Sequence, residues 1–205
     1  MPEATAPALV LASTSPYRRH MLEAAGIMFR AVSPDLDEAV LKRQLASARP
    51  PAGASDVAAA LARAKALAVS ARMPSALVIG ADQVLALGSE LFDKPGNLAG
   101  ARRQLQRLRG KAHELHTAVA LAEAGNIVWS HIGIPALHMR DFSDAFLDDY
   151  LAAASPAIFG TVGGYEVEGQ GIQLFERIDG DHFTVIGLPL LPLLAELRDR
   201  GVIAT

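Results

Sequence analysis

Residues 9–19, LVLASTSPYRR, restrict what this chain can fold into more than any other stretch. Leu9, Val10 and Leu11 form a short apolar run that predicts a buried strand. Small hydroxyl residues and Pro16 follow, then apolar positions at Met21, Leu22 and Ala25 with helical spacing. Proline suits the first turn of a helix, where it has no N–H to lose. The segment therefore reads as strand, tight hydroxyl-rich turn and helix N-terminus, with Arg18 and Arg19 in the first helical turn. A helix N-terminus offers free N–H groups and partial positive charge, so arginines there are electrostatically out of place. An anion held in the turn by N–H groups, hydroxyls and one guanidinium would explain them. A serine cap with two solvated arginines is the other reading.

The chain has 205 residues and a net charge of -3, so it is large enough for a substantial core and is not a general nucleic-acid binder. Any basic cluster should serve a small anion. No cysteine is present, which excludes disulfides and thiolate metal sites. There is no basic leader before Leu9 and no 18-residue apolar span, so a soluble cytoplasmic protein without a membrane partner is expected.

Strands are predicted over 27–33 and 76–80, a helix over 56–72 capped by Ser55, and a helix over 98–108 capped by Asn97 and ended by Gly110. Residues 113–123 should pair with 127–139 across a Gly125-Asn126 turn, with Trp129 packed. Ser143 should cap a helix reaching about Ala153. Tyr165 and Val167 suggest an ordered strand-like path through the glycine-rich stretch 160–171. A hairpin of 172–178 with 182–186 around Asp179-Gly180 and a closing helix over 188–200 complete the chain. Strands and helices alternate early and hairpins dominate later, which predicts an α/β fold with a mixed sheet.

Several polar residues stand out against this pattern. Asp37 and Glu38 follow an apolar strand; acids suit a helix start, and they also suit a divalent cation. Asp82 comes directly after an apolar run, where a carboxylate costs several kcal/mol unless paired or metal-bound. Lys94 precedes a proline, which holds it extended. Lys65 lies on the alanine-rich helix, where a solvated face is the default. His113 and His116 are three residues apart, and the H-E-x-x-H zinc signature is absent.

LVLASTSPYRR, SPDLDE, ARAKALAV, VIGADQVLALGSELFDKP, GTVGGYEVEGQG and IDGDHFTVIGLPL occur in the order found in the Maf family, nucleoside triphosphate pyrophosphatases of which some have long been described as septum-formation inhibitors. The chain resembles that family over about residues 8–200. The resemblance implies one Maf-like domain over 1–205 with a fold similar to inosine triphosphatase, an elongated mixed sheet flanked by helices, and two lobes around a cleft. It implies hydrolysis of a nucleoside triphosphate to monophosphate and pyrophosphate with Mg2+ or Mn2+, and a homodimer. Carried over by motif, Ser13 and Arg18 or Arg19 match the phosphate-binding turn. Asp37 and Glu38 match the acidic pair, Lys65 the helix lysine, Asp82 the catalytic acid, as base, metal ligand or both, and Lys94 the lysine before proline. Such a set suits α-phosphoryl attack, in which cations position the polyphosphate and carboxylates hold a metal that lowers the pKa of a bound water.

Tyr17, Gln83 and Glu168 depart from the commonest family pattern of arginine, threonine and glutamine. The trio resembles the subfamily of 7-methyl-GTP pyrophosphatases. A 7-methylated guanine carries ring charge, so an aromatic face beneath it gains a cation–π attraction of ~0.5–2 kcal/mol. A carboxylate at 168 can accept from guanine N1–H and the exocyclic amine, whereas it faces carbonyls in thymine or uracil. A guanine-type substrate is therefore expected. The alternatives are a dTTP/UTP or broad-specificity pyrophosphatase, a non-hydrolysing nucleotide-binding regulator of cell division, and hydrolysis of a non-nucleotide phosphoanhydride.

Overall fold

A computed structural model describes residues 8–204; the reading of residues 1–7 as free of a leader lies outside them. The first strand, β1 (Ala8–Ala12), is buried from its second residue and leads through a Ser-Thr-Ser turn into α1 (Pro16–Ala24). Ser15 caps that helix by accepting from the Arg18 N–H, and Pro16 occupies its first turn. Next come β2 (Arg30–Val32), α2 (Glu38–Ser47) and α3 (Ala54–Ser70). The strand β3 (Ala76–Leu87) turns into β4 (Glu90–Phe92), followed by α4 (Leu98–Leu108) and the second long strand, β5 (Ala112–Glu123). The chain continues through β6 (Asn126–Gly133), β7 (Ala136–Met139), α5 (Asp144–Ala153), two 3₁₀ turns, β8 (Phe175–Asp179), α6 (His182–Ile186) and α7 (Leu190–Asp199).

The eight strands among the described residues form one mixed sheet built on β3 and β5, which pair antiparallel from Val78↔Ala122 to Ala86↔Glu114. The outer edge of each long strand is shared by two shorter ones. Along β3, parallel β1 pairs with 76–80 and antiparallel β4 with 85–87, so Ala81, Asp82, Gln83 and Val84 have no strand neighbour on that edge. Along β5, β7 pairs with 112–114 and β6 with 117–123. This gap in the outer edge of β3 is where the candidate site forms.

Alternation along β3 separates the helix layers. Val84 and Ala86 pack with Ala58, Leu61 and Ala62 of α3, while Leu77, Ile79 and Ala81 point to the other face, against α1 and α7. Gly80 explains the close fit of α3. A Cβ there would lie 2.2 Å from the Ala62 carbonyl and 2.6 Å from the Ala66 nitrogen, so only glycine permits this approach. A third cluster, including Leu105, Leu137, Leu147 and Tyr165, fills the end of the sheet under α4 and α5.

The mixed α/β sheet flanked by helices agrees with the expected fold class, and the helices at 98–108 and 144–153 carry the Asn97 and Ser143 caps. Several local expectations are corrected. The strand expected to end at Gly80 runs on through Asp82, because β5 supplies partners along its whole length. The second strand is confined to Arg30–Val32. Gly53, not Ser55, precedes α3, with the Asp56 carboxylate accepting from the Gly53 N–H at 3.2 Å; the Ser55 hydroxyl turns instead to His116 Nδ1 at 2.8 Å. Residues 182–186 form a helix rather than a hairpin strand. The Asp181 carboxylate accepts from both the Thr184 N–H and hydroxyl, and that cap outweighs the β-branched composition. β8 pairs with β7 instead. The 160–171 stretch is turn and 3₁₀ rather than strand-like, with Tyr165 buried.

Candidate active site

Gly80 and Asp82 lie on the same face of β3, two residues apart, so the close approach of α3 at Gly80 brings Lys65 over Asp82. The Lys65 ammonium is 2.6 Å from Asp82 Oδ1 and 2.9 Å from Glu38 Oε1. Lys65 and Asp82 are buried, and Glu38 reaches in from the first turn of α2. Burial alone would raise the Glu38 carboxyl; the Lys65 hydrogen bond and charge, with Lys42 and Lys94 behind it, hold it below its usual range.

This trio opens into a cavity of about 920 Å³. The Ser13–Arg18 turn, Lys42, Lys94 and Gly187 form other parts of its wall. Ser13 is buried and its hydroxyl oxygen accepts from the Ser15 N–H at 3.1 Å, which tightens the turn at the start of α1. Arg18 Nε donates to the Gly187 carbonyl at 2.8 Å, and burial lowers the guanidinium from its ordinary value while Asp82 and Glu38 act the other way. Gly187 has φ +129°, a conformation closed to other L residues, so its carbonyl can face Arg18 only because it is glycine. The wall thus combines a helix N-terminus, a guanidinium and three ammonium groups with three paired carboxylates, Glu38, Asp82 and Asp93, an arrangement suited to a polyphosphate.

The structure brings Ser13, Tyr17, Arg18, Glu38, Lys65, Asp82, Gln83 and Lys94 to this one cavity. It does not place Arg19 or Asp37 among the residues lining it. Asp37 is exposed, and its carboxylate accepts from the Val40 N–H at 3.1 Å as the cap of α2. Among the described residues no cluster of three His, Asp or Glu side chains stands ready for a metal ion. The pair Glu38 and Asp82 still fits a hard cation such as Mg2+, which commonly takes one or two carboxylates and completes its shell with water and substrate phosphates.

A second cavity of about 220 Å³ adjoins the first, sharing Tyr17, Gln83, Thr161, Val162 and Ile186 with it. Glu168 lines it and is exposed. Gln83 is held with one orientation. Its amide nitrogen donates to Thr117 Oγ1 at 2.8 Å and to the Thr184 and Val185 carbonyls at 3.1 Å, and Thr117 Oγ1 itself donates to Thr184 O. With every partner an acceptor, the amide oxygen is the end left for a ligand.

Sequence reasoning missed three participants. Lys42 lines the larger cavity and pairs with Asp93 at 2.5 Å; its position four residues after Glu38 on α2 was the available signal. Gly187 and Glu166 lie inside matched motifs, but no local pattern points to their pairing, since their partners Arg18 and Tyr17 are more than a hundred residues away.

A family model described as Maf-like protein matches residues 8–200. The chain belongs to the Maf family. It is 50% identical over 190 residues to a protein of Brucella abortus named 7-methyl-GTP pyrophosphatase, covering 93% of this chain and 94% of the relative. A Mesorhizobium japonicum protein of the same name is 48% identical over 195 residues, 95% and 97% of the two chains. A Bradyrhizobium diazoefficiens protein named nucleoside triphosphate pyrophosphatase is 50% identical over 196 residues, 96% and 95%. Membership in the Maf family makes this chain a hydrolase acting on nucleotide phosphoanhydride bonds. No helix among the described residues is long and apolar enough to cross a membrane.

Proposed function

We propose that this Maf protein hydrolyses a nucleoside triphosphate to its monophosphate and pyrophosphate, with 7-methyl-GTP as the preferred substrate. The observation that carries the reading is the separation of charge between the two cavities. Arg18, Lys42, Lys65 and Lys94 line the larger one together with Glu38, Asp82 and Asp93, which leaves an excess of positive charge, whereas the charged residues lining the smaller one, among those described, are Glu166 and Glu168. A substrate with an anionic polyphosphate at one end and a cationic ring at the other matches that distribution.

In this reading the phosphates occupy the Ser13–Arg18 turn, with Lys42 and Lys94 lining the same cavity. Glu38 and Asp82 would hold a divalent cation, Mg2+ or Mn2+, which supplies charge neutralisation and an acidified water when bound. Asp82 orients the attacking water and takes its proton. Lys65 keeps both carboxylates at fixed positions and offsets their mutual repulsion. Tyr17 offers a ring face to the base, Glu168 accepts from guanine N1–H and the amine, and Gln83 presents its oxygen.

Pyrophosphate release from 7-methyl-GTP, GTP, dTTP and UTP, compared as kcat/KM, tests the proposal. A value for 7-methyl-GTP at least tenfold above the other three is expected. Efficient dTTP or UTP turnover without 7-methyl-GTP turnover would overturn the choice of base, and absence of turnover with all four would overturn the reaction.

A further inference from the structure

The Tyr17 phenol donates a hydrogen bond to Glu166 Oε1, across 149 residues of chain. Glu166 lies within the GTVGGYEVEGQG motif, where the residue given a role is Glu168. Tyr17 is the second residue of α1 and lines both cavities, so its ring forms part of the partition between them. Without a partner for its hydroxyl, a tyrosine at a helix start is free to swing into solvent. Burial, the Glu166 hydrogen bond and the two nearby carboxylates all push the phenol above its ordinary range, so it remains a donor at any working pH.

Glu166 is itself held from behind. The Gly163 N–H donates to Gln104 Oε1 at 3.1 Å, the Tyr150 hydroxyl to the Gly164 carbonyl at 3.2 Å, and the Tyr165 hydroxyl meets His113 Nε2 at 2.7 Å. Gly171 closes on the Glu166 backbone so tightly that a Cβ there would lie 2.5 Å from its carbonyl oxygen. The backbone that carries Glu166 is thus held in place.

We propose that Glu166 fixes the Tyr17 ring against the smaller cavity and makes that cavity discriminate on the charge of the base. This rests on the reading that the base occupies that cavity. One carboxylate, Glu168, is enough to accept from the two guanine N–H groups. A second carboxylate beside a neutral ring adds desolvation cost with no matching donor. Beside a methylated ring its negative charge meets a positive one. Glu166 therefore penalises neutral guanine relative to its 7-methylated form, and it acts partly through Tyr17, whose face provides the cation–π contact.

The test is steady-state pyrophosphate release by the wild type, Glu166→Gln, Tyr17→Phe and the double variant, with 7-methyl-GTP and GTP. Glutamine keeps an oxygen acceptor for the phenol and removes the charge, and the thermal melt of each variant checks that it folds. Glu166→Gln is expected to lower kcat/KM about tenfold for 7-methyl-GTP, mainly through KM, and to leave GTP unchanged or slightly improved, so the preference falls about tenfold. An equal loss with both nucleotides, or none, would overturn charge discrimination. The two single substitutions should be non-additive, because each removes part of one contact; additive effects would overturn the fixing of Tyr17. The cycle is read on whichever triphosphate the wild type cleaves best. It therefore decides the role of Glu166 even if the wild type shows no preference for a methylated base, a result that would refute the substrate choice alone.

Discussion

Lys65 and Asp82 form an ion pair that is buried on both sides, with 2.6 Å from Nζ to Oδ1 and side chains 8% and 10% exposed. The pair is not closed, since Glu38 Oε1 lies 2.9 Å from the same ammonium. This shared cation makes the consequences of losing either partner unequal.

Asp82→Asn leaves Lys65 paired with Glu38, so the protein should remain folded and retain nucleotide affinity while turnover falls roughly 10²–10⁴-fold. Lys65→Met strands Asp82 and Glu38 together and should lower stability by about 3–5 kcal/mol as well as activity. Urea midpoints and initial rates measured side by side check the asymmetry. Equal destabilisation by the two substitutions would count against a shared ammonium.

Arg18 uses Nε on the Gly187 carbonyl, which turns the rest of its guanidinium fork to the cavity. Lysine cannot make both contacts. Arg18→Lys should raise KM about 10–100-fold, on the order of one charge-assisted hydrogen bond, and Arg19→Lys should change it little. Kinetics of the two variants decide which arginine serves the phosphates.

Gly80→Ala should destabilise the fold by about 1–3 kcal/mol or more, because the new methyl meets backbone of α3 rather than a side chain that can move. By displacing Lys65 from Asp82 it should also reduce kcat. Full activity in a stably folded Gly80→Ala protein would show that the distance between α3 and β3 does not set the site.

His113 is buried with Nε2 on the Tyr165 hydroxyl, and burial, with His138 adding to it, pushes its imidazole down to about 4. In the unfolded chain the ring titrates near 6.5, so between these values the unfolded state binds the extra proton. The stability this provides is complete above about pH 6.5 and is lost as pH falls towards 4, by roughly 3 kcal/mol in total. Urea unfolding across that window should show a shallower pH dependence in His113→Gln than in the wild type. Parallel curves would mean that His113 is not held neutral by the fold.

Much of the site was legible along the chain because its parts are local exceptions. Arginines at a helix start, an aspartate inside an apolar run and a lysine before proline each contradict the pattern around them, and the family's ordered motifs tie them together. Asp37 shows the limit of that signal. A carboxylate at a helix start suits both a cation and a cap, and its contact with the Val40 N–H, seen in the tertiary structure alone, makes it the cap of α2.

The sequence by itself determined the alternation of strands and helices, their caps at Asn97 and Ser143, and the family, since these depend on periodicity, short-range hydrogen bonding and ordered motifs. The tertiary structure decided which charges meet. Lys65 reaches Asp82 because Gly80 admits α3, and Asp82 faces a cavity because β1 and β4 leave a gap along one edge of β3. Tyr17 meets Glu166 because a glycine-rich segment is pinned from three sides. Such contacts depend on packing between elements far apart in the chain, and no local pattern of residues encodes them.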